Sequence, residues 1–158
     1  EGPLPAASPK EVKVDITITE RFVLPIEDRI VLRGYDEYSD LTDESKIRVY
    51  CLDEIGVEKI VALTDRARNE PRDLYDAWYL TSQEHIDLAM LISEIDSKLE
   101  FRGRSRGTIG EEFKKKEARY EKLWTARLGS QMAQLPAFDD VIRSVRSSLR
   151  AARLIPRK

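Results

Sequence analysis

The 158 residues include a single cysteine, Cys51, and a single histidine, His85. An internal disulfide, a Cys/His zinc site and any triad needing two histidines are therefore excluded. Chemistry on this chain has to use Asp, Glu, Lys, Arg and hydroxyl groups. The first constellation is Lys13-Val14-Asp15-Ile16-Thr17, which places an ammonium, a carboxylate and a hydroxyl on the polar face of one strand. A carboxylate on a rigid strand is what a hard cation such as Mg²⁺ requires, because it needs oxygen ligands in near-octahedral geometry. The same spacing equally describes a half-exposed strand with solvated polar positions.

The second constellation is Glu54, Glu58 and Lys59, followed by Arg66, Arg68, Arg72, Asp73 and Asp76. Glu54 and Glu58 are like charges one helical turn apart, which destabilises a helix unless a cation sits between them. Arg72 and Asp76 share the same spacing with the cation on the less favourable, N-terminal side. Asp73 and Asp76 near a helix start suit the dipole, so a capped surface helix and a functional site both fit. The third constellation is basic. Arg143, Arg146, Arg150, Arg153 and Arg157 step by three or four opposite the apolar track Phe138, Val141, Ile142, Val145 and Leu149. With Arg102, Arg104 and Arg106 in a Gly/Ser loop and Lys114–Lys116, these side chains could cover a nucleic-acid backbone. They could also form a solvated face or pair with acidic residues elsewhere, since no aromatic residues interleave with them for base stacking. His85 reads as solvent-facing and Cys51 as packed and inert. No Gly-rich phosphate loop of Walker or Rossmann type occurs.

The elements that must position these residues follow from periodicity. Val12, Val14, Ile16 and Ile18 alternate with polar residues, which predicts a strand over 12–18. Shorter extended pieces are expected at Arg21–Leu24 and Arg29–Arg33, then a polar connection, then a strand over Lys46–Leu52 that stops at Asp53 as N-cap. Helices are expected from Asp53 to Arg68, from Pro71 to about Thr81, from Glu84 to Leu99, from Glu111 to about Leu128 and from about Phe138 to Leu154. The fold class is thus α+β, with a small antiparallel or mixed sheet at the N-terminal end followed by a helical bundle. Residues 1–52 form the β-rich part and 53–158 a helical region packed as one domain.

Composition bounds the rest. Hydrophobic residues make up 41% and charged residues 35% of the chain, and the net charge is −2, which excludes collagen-like and wholly disordered classes. That net value hides a dipole, because residues 1–97 carry −11 and residues 98–158 carry +9. No apolar run approaches the roughly 18 residues of a membrane span, and residues 1–20 lack a signal pattern, so no membrane partner and a cytoplasmic location are expected.

The order of the motifs carries more than any one of them. Lys13-Val-Asp-Ile-Thr17, then Tyr50-Cys-Leu-Asp-Glu-Ile-Gly-Val-Glu-Lys59-Ile-Val-Ala-Leu63, then Arg72-Asp-Leu-Tyr-Asp76-Ala-Trp-Tyr-Leu80 resembles the AbiEii/AbiGii class of nucleotidyltransferase-like toxins. The likeness is close from Lys13 to Leu80 and looser in the C-terminal helices, around Trp124, Leu128 and Pro136–Phe138. It implies a fold of the DNA polymerase β superfamily, in which NMP passes from an NTP to an RNA or protein acceptor with Mg²⁺. It also implies tRNA or another RNA as a possible acceptor and an antitoxin protein as a possible partner. Carried over, Asp15 would be the metal-binding or acceptor-orienting carboxylate, with Lys13 beside it. Lys59 would contact the triphosphate, and Asp76, with Glu58, Arg72 and Asp73, would line the site. Arg102, Arg104, Arg106, Arg143, Arg146 and Arg150 remain the nucleic-acid-binding candidates. One departure stands out: the family's Gly-Gly-Ser/Thr turn and Asp-x-Asp pair are missing from this sequence. The expectation is therefore a C-terminal portion that is inactive alone and meets Mg²⁺ only together with the missing half, or else a non-catalytic module binding nucleic acid or a partner protein. The 12–18 strand would then be an open sheet edge.

Overall fold

A computed structural model describes residues 13–14, 16–18, 20–32, 34, 42 and 44–157. Two short strands, β1 (Ile26–Ile30) and β2 (Lys46–Tyr50), pair antiparallel with Ile26 opposite Tyr50 and Ile30 opposite Lys46. Ile47 and Val49 supply the branched side chains that favour a strand in β2. Five helices follow: α1 (Leu52–Leu63), α2 (Pro71–Ser82), α3 (Ile92–Phe101), α4 (Ile109–Leu128) and α5 (Phe138–Ala151). The architecture is α+β, as the sequence predicts.

Helix α2 is the hub, packing against α1, α4 and α5, while α3 lies along α1. Val57, Ile60 and Val61 of α1, Leu74 of α2, Ile95 and Leu99 of α3, and Val141, Val145 and Leu149 of α5 are buried together. Helix α4 adds the expected anchors Phe113, Tyr120 and Trp124, and the Trp124 indole N–H donates to the Pro136 carbonyl at 2.9 Å. That bond fixes the α4–α5 connection, so the indole is both core and clasp.

Three expectations are corrected. No strand forms among the described residues 13, 14 and 16–18, and Val14, Ile16 and Ile18 are 72%, 81% and 92% exposed. Alternation makes a segment compatible with a sheet but supplies no neighbour, and the helical core closes without those side chains. Val12 and Asp15 lie outside the described residues. Helix α1 starts one residue before Asp53 and is capped by Cys51, whose Sγ accepts from the Glu54 N–H at 3.4 Å. It stops at Leu63, because the Thr64 hydroxyl turns back to the Val61 carbonyl at 2.7 Å. Arg66 and Arg68 therefore lie beyond the helix and serve carboxylates instead of its dipole. The expected 84–99 helix is broken: His85 turns the chain with φ 57°, and Asp87 caps a 3₁₀ turn at Leu88–Leu91 before α3 begins. The apolar face was read correctly, since Leu88, Leu91, Ile95 and Leu99 are all buried.

Candidate functional site

Glu58 and Lys59 are consecutive on α1, and they turn to different neighbours. Glu58 faces α3, where Lys98 contacts both it and Glu54. The Lys98 ammonium lies 2.5 Å from Glu54 Oε1 and 3.4 Å from Glu20 Oε1. Arg102 reaches Glu58 at 2.9 Å and Glu20 at 3.5 Å. Lys98 is thus the cation that the Glu54/Glu58 spacing demands. Its burial alone would lower the ammonium pKa, but the hydrogen bonds to Glu54 and Glu58 outweigh that and raise it. Burial likewise pushes the Glu20 carboxyl up, and its hydrogen bond to Glu58 with the charges of Lys98 and Arg102 brings it below the ordinary value. The Glu54 carboxylate also accepts from the Val23 N–H at 3.2 Å and the Leu24 N–H at 2.9 Å, tying the segment before β1 to α1.

Lys59 faces α2, with its ammonium 3.2 Å from Asp73 Oδ1 and 2.5 Å from Asp76 Oδ2. Asp73 is buried and takes a two-pronged bond from Arg68, Nε to Oδ2 at 2.6 Å and Nη2 to Oδ1 at 2.9 Å. This hydrogen bonding to Asp73 raises the Arg68 pKa. The structure thus brings Lys59, Asp73 and Asp76 together as an ion-pair cluster. Arg72, one residue from Asp73, is exposed and has no carboxylate partner among the described residues. Lys13 is exposed, and its companion Asp15 lies outside the described residues.

A buried lysine holds this cluster from behind. Lys116 of α4, expected on the basic surface, instead donates to the Ala62 carbonyl at 2.9 Å and the Arg68 carbonyl at 2.7 Å. The Ala62 carbonyl, near the end of α1, also accepts from the Asp65 N–H at 3.1 Å, so Lys116 adds a second donor there. Burial pulls its pKa down to about 8, against the opposing pull of Asp65 and Asp73. Tyr120, one turn on, has a buried hydroxyl with no hydrogen-bond partner, and burial raises its pKa. Lys98 and Lys116 are the residues that the sequence analysis missed as parts of these clusters. The available signal was position: Lys98 follows Ile95 by three on the apolar stripe of α3, and Lys116 follows Phe113 by three on that of α4.

The basic candidates divide. Arg102 serves Glu58 and Glu20, and Arg104 reaches Asp65 at 3.2 Å and the Thr64 hydroxyl at 3.4 Å. Arg106 pairs with Asp96 at 2.5 Å, Arg143 with Asp140 at 3.2 Å, and Arg146 with Glu117. Arg106, Arg146 and Arg150 line one cavity of about 1140 Å³ between the start of α4 and the end of α5. Arg143 lies on a smaller neighbouring one.

Among the described residues no three His, Cys, Asp or Glu side chains converge on a point that could hold a metal ion. The buried carboxylates Glu54, Asp73 and Glu112 each already face a Lys or Arg. Asp15, the metal ligand that the resemblance names in this sequence, lies outside the described residues. Also among the described residues, no helix is long and apolar enough to cross a membrane.

No curated protein and no solved structure matches the chain. A family model does, described as nucleotidyl transferase AbiEii toxin, type IV toxin–antitoxin system, and it matches residues 4–144. With that span added to the meeting of Lys59, Asp73 and Asp76, the chain belongs to the AbiEii nucleotidyl transferase toxin family.

Proposed function

We propose that this chain works as the helical portion of a nucleotidyltransferase that moves NMP from an NTP to an RNA or protein acceptor. The observation that supports it is the joining of Lys59 on α1 to Asp73 and Asp76 on α2, with the exposed Arg72 beside them. Lys59, set between two carboxylates, and the exposed Arg72 offer cationic donors to a triphosphate on a rigid helix pair. Asp76 is partly exposed where Asp73 is buried, which leaves it the more accessible of the two carboxylates. Asp73 positions Lys59 through its own clamp by Arg68. The type IV system makes an antitoxin protein the natural partner.

The test is to purify the protein from its source and incubate it with each α-labelled NTP, a divalent ion and total tRNA. Label is expected in RNA or in a protein, and Lys59→Ala or Asp76→Ala should abolish it. If no NTP labels either acceptor, and both variants behave as wild type in cells, the reading is wrong. The second reading, a non-catalytic module that binds nucleic acid or a partner protein, is favoured by the arginines Arg106, Arg146 and Arg150 gathered on one cavity. Salt-dependent tRNA binding without transfer would select it.

A further inference from the structure

The cavity between the start of α4 and the end of α5 concentrates cations, of which only Arg106 and Arg146 meet a carboxylate among the described residues, Asp96 and Glu117. Arg106 and Lys114 come from the α4 side, and Arg146, Arg150, Arg153 and Arg157 come from α5 and the turn after it. Lys114, Arg150, Arg153 and Arg157 have no carboxylate partner among the described residues. The one acidic lining residue, Glu111, is neutralised by Lys115 at 2.5 Å. The Arg150 Nε is buried in the wall without an acceptor, although a buried guanidinium N–H normally has one. The floor is apolar, made by Leu154, Ile155 and Pro156.

Arg153 supplies an independent indication. Helices α3 and α5 end in the same way: Arg104 N–H returns to the Leu99 carbonyl, and Leu154 N–H to the Leu149 carbonyl, both at 2.8 Å. This closure needs a left-handed residue just after the helix, and glycine takes that conformation at least cost. Helix α3 uses Gly103 there with φ 66°, whereas α5 uses Arg153 with φ 58°. An arginine kept in a glycine conformation, with its guanidinium on a cation-lined cavity, points to a task for the side chain.

We propose that this cavity binds a free, nucleotide-sized ligand carrying more than one phosphate, at a site separate from the Lys59 cluster. None of Glu58, Lys59, Arg72, Asp73 and Asp76 lines it. Its volume of about 1140 Å³ is slightly above the range of small-molecule pockets. Arg146 and Arg150 lie one turn apart on α5, and with Arg153 and Arg157 after it and Arg106 and Lys114 opposite they border one concavity. Guanidinium groups match phosphate oxygens two at a time, and the apolar floor suits a base or sugar.

The test is equilibrium dialysis of the intact protein at low salt with ATP, pyrophosphate, orthophosphate and a short single-stranded RNA. ATP is expected to bind more tightly than orthophosphate. Arg153→Gly and Arg157→Ala should each weaken ATP about 10- to 100-fold, the scale of a lost charge-assisted contact. Arg153→Gly suits the backbone at φ 58° and so should melt no lower than wild type. Arg143→Ala, outside the cavity, should leave this affinity unchanged, whereas ATP binding that survives Arg153→Gly and Arg157→Ala but is lost in Lys59→Ala would place the nucleotide at the Lys59 cluster, overturning this inference while leaving the transfer reading standing. The inference is overturned if ATP does not bind, if binding ignores Arg153→Gly and Arg157→Ala, or if RNA displaces ATP and binds more tightly with a steep salt dependence. That last result would make the cavity part of a nucleic-acid surface.

Discussion

The ammonium of Lys98 lies 2.5 Å from Glu54 Oε1, and both side chains are essentially withdrawn from solvent. Two helices, α1 and α3, are joined there by opposite charges inside the apolar core. Removing one member leaves the other buried and uncompensated, which is costlier than never having buried the pair. Lys98→Met is expected to lower the unfolding free energy by about 3–5 kcal/mol in urea titrations. Adding Glu54→Gln should cost less than the sum of the two single changes. A loss within about 0.5 kcal/mol for Lys98→Met, the scale of a surface change, would contradict the buried network.

Stability should also respond to alkaline pH in two opposed steps. Lys116 has a folded pKa of about 8 against an ordinary 10.5, so across that window the unfolded chain binds more protons and stability rises with pH. Tyr120 has a folded pKa raised above its ordinary 10, so above pH 10 the unfolded chain loses its proton first and stability falls. Thermal melts should therefore give a rise from pH 8 toward pH 10 that Lys116→Met removes. They should also give a fall beyond pH 10 that Tyr120→Phe removes.

The acid limb rests on a different pair. Arg66 grips Glu112 with Nε to Oε2 at 2.9 Å and Nη2 to Oε1 at 2.6 Å. This grip holds the Glu112 carboxyl down at about 2 against an ordinary 4.5. A carboxyl with a depressed folded pKa stabilises the fold above its unfolded value, and that contribution disappears as pH falls from 4.5 toward 2. Glu112→Gln should remove the decline in this window, and Arg66→Ala, which lets the folded carboxyl rise back toward its ordinary value, should flatten it. If neither variant changes the acid-unfolding profile, the pair does not carry it.

Stability and transfer should separate around α2. Asp73 is buried and anchors two cations, so Asp73→Ala should cost about 2–3 kcal/mol along with any activity. Arg72 is exposed and without a carboxylate partner among the described residues, so Arg72→Ala should change stability by less than about 0.5 kcal/mol. Under the transfer reading it should still raise the KM for NTP. Denaturation curves beside initial rates decide this, and an unaltered KM in Arg72→Ala would remove that residue from the site.

Much of this was legible in order and spacing. The strand at Lys46–Tyr50, the helix opening at Pro71, the aromatic anchors of α4 and the apolar stripe of α5 all follow local rules of periodicity and capping. So did the need for a cation between Glu54 and Glu58, because two carboxylates one turn apart repel whatever surrounds them. The meeting of Lys59 with Asp73 and Asp76 was foreshadowed by family resemblance, not by periodicity.

Tertiary structure decided which charges face inward and whom they meet. Lys98 and Lys116 look like ordinary surface lysines in sequence, and burial turns one into the partner of Glu54 and the other into a peg for the Ala62 and Arg68 carbonyls. Arg102 and Arg104 sit in a run that reads as a free basic loop, yet Glu58 of α1 and Asp65 just beyond that helix meet them. Val14, Ile16 and Ile18 carry strand periodicity, yet no neighbour takes them up among the described residues. Periodicity is a property of a segment, whereas an ion pair or a sheet edge is a property of two segments brought together. The amino-acid sequence by itself therefore determined the elements and their apolar faces, and only the packed chain determined the partners of their charges.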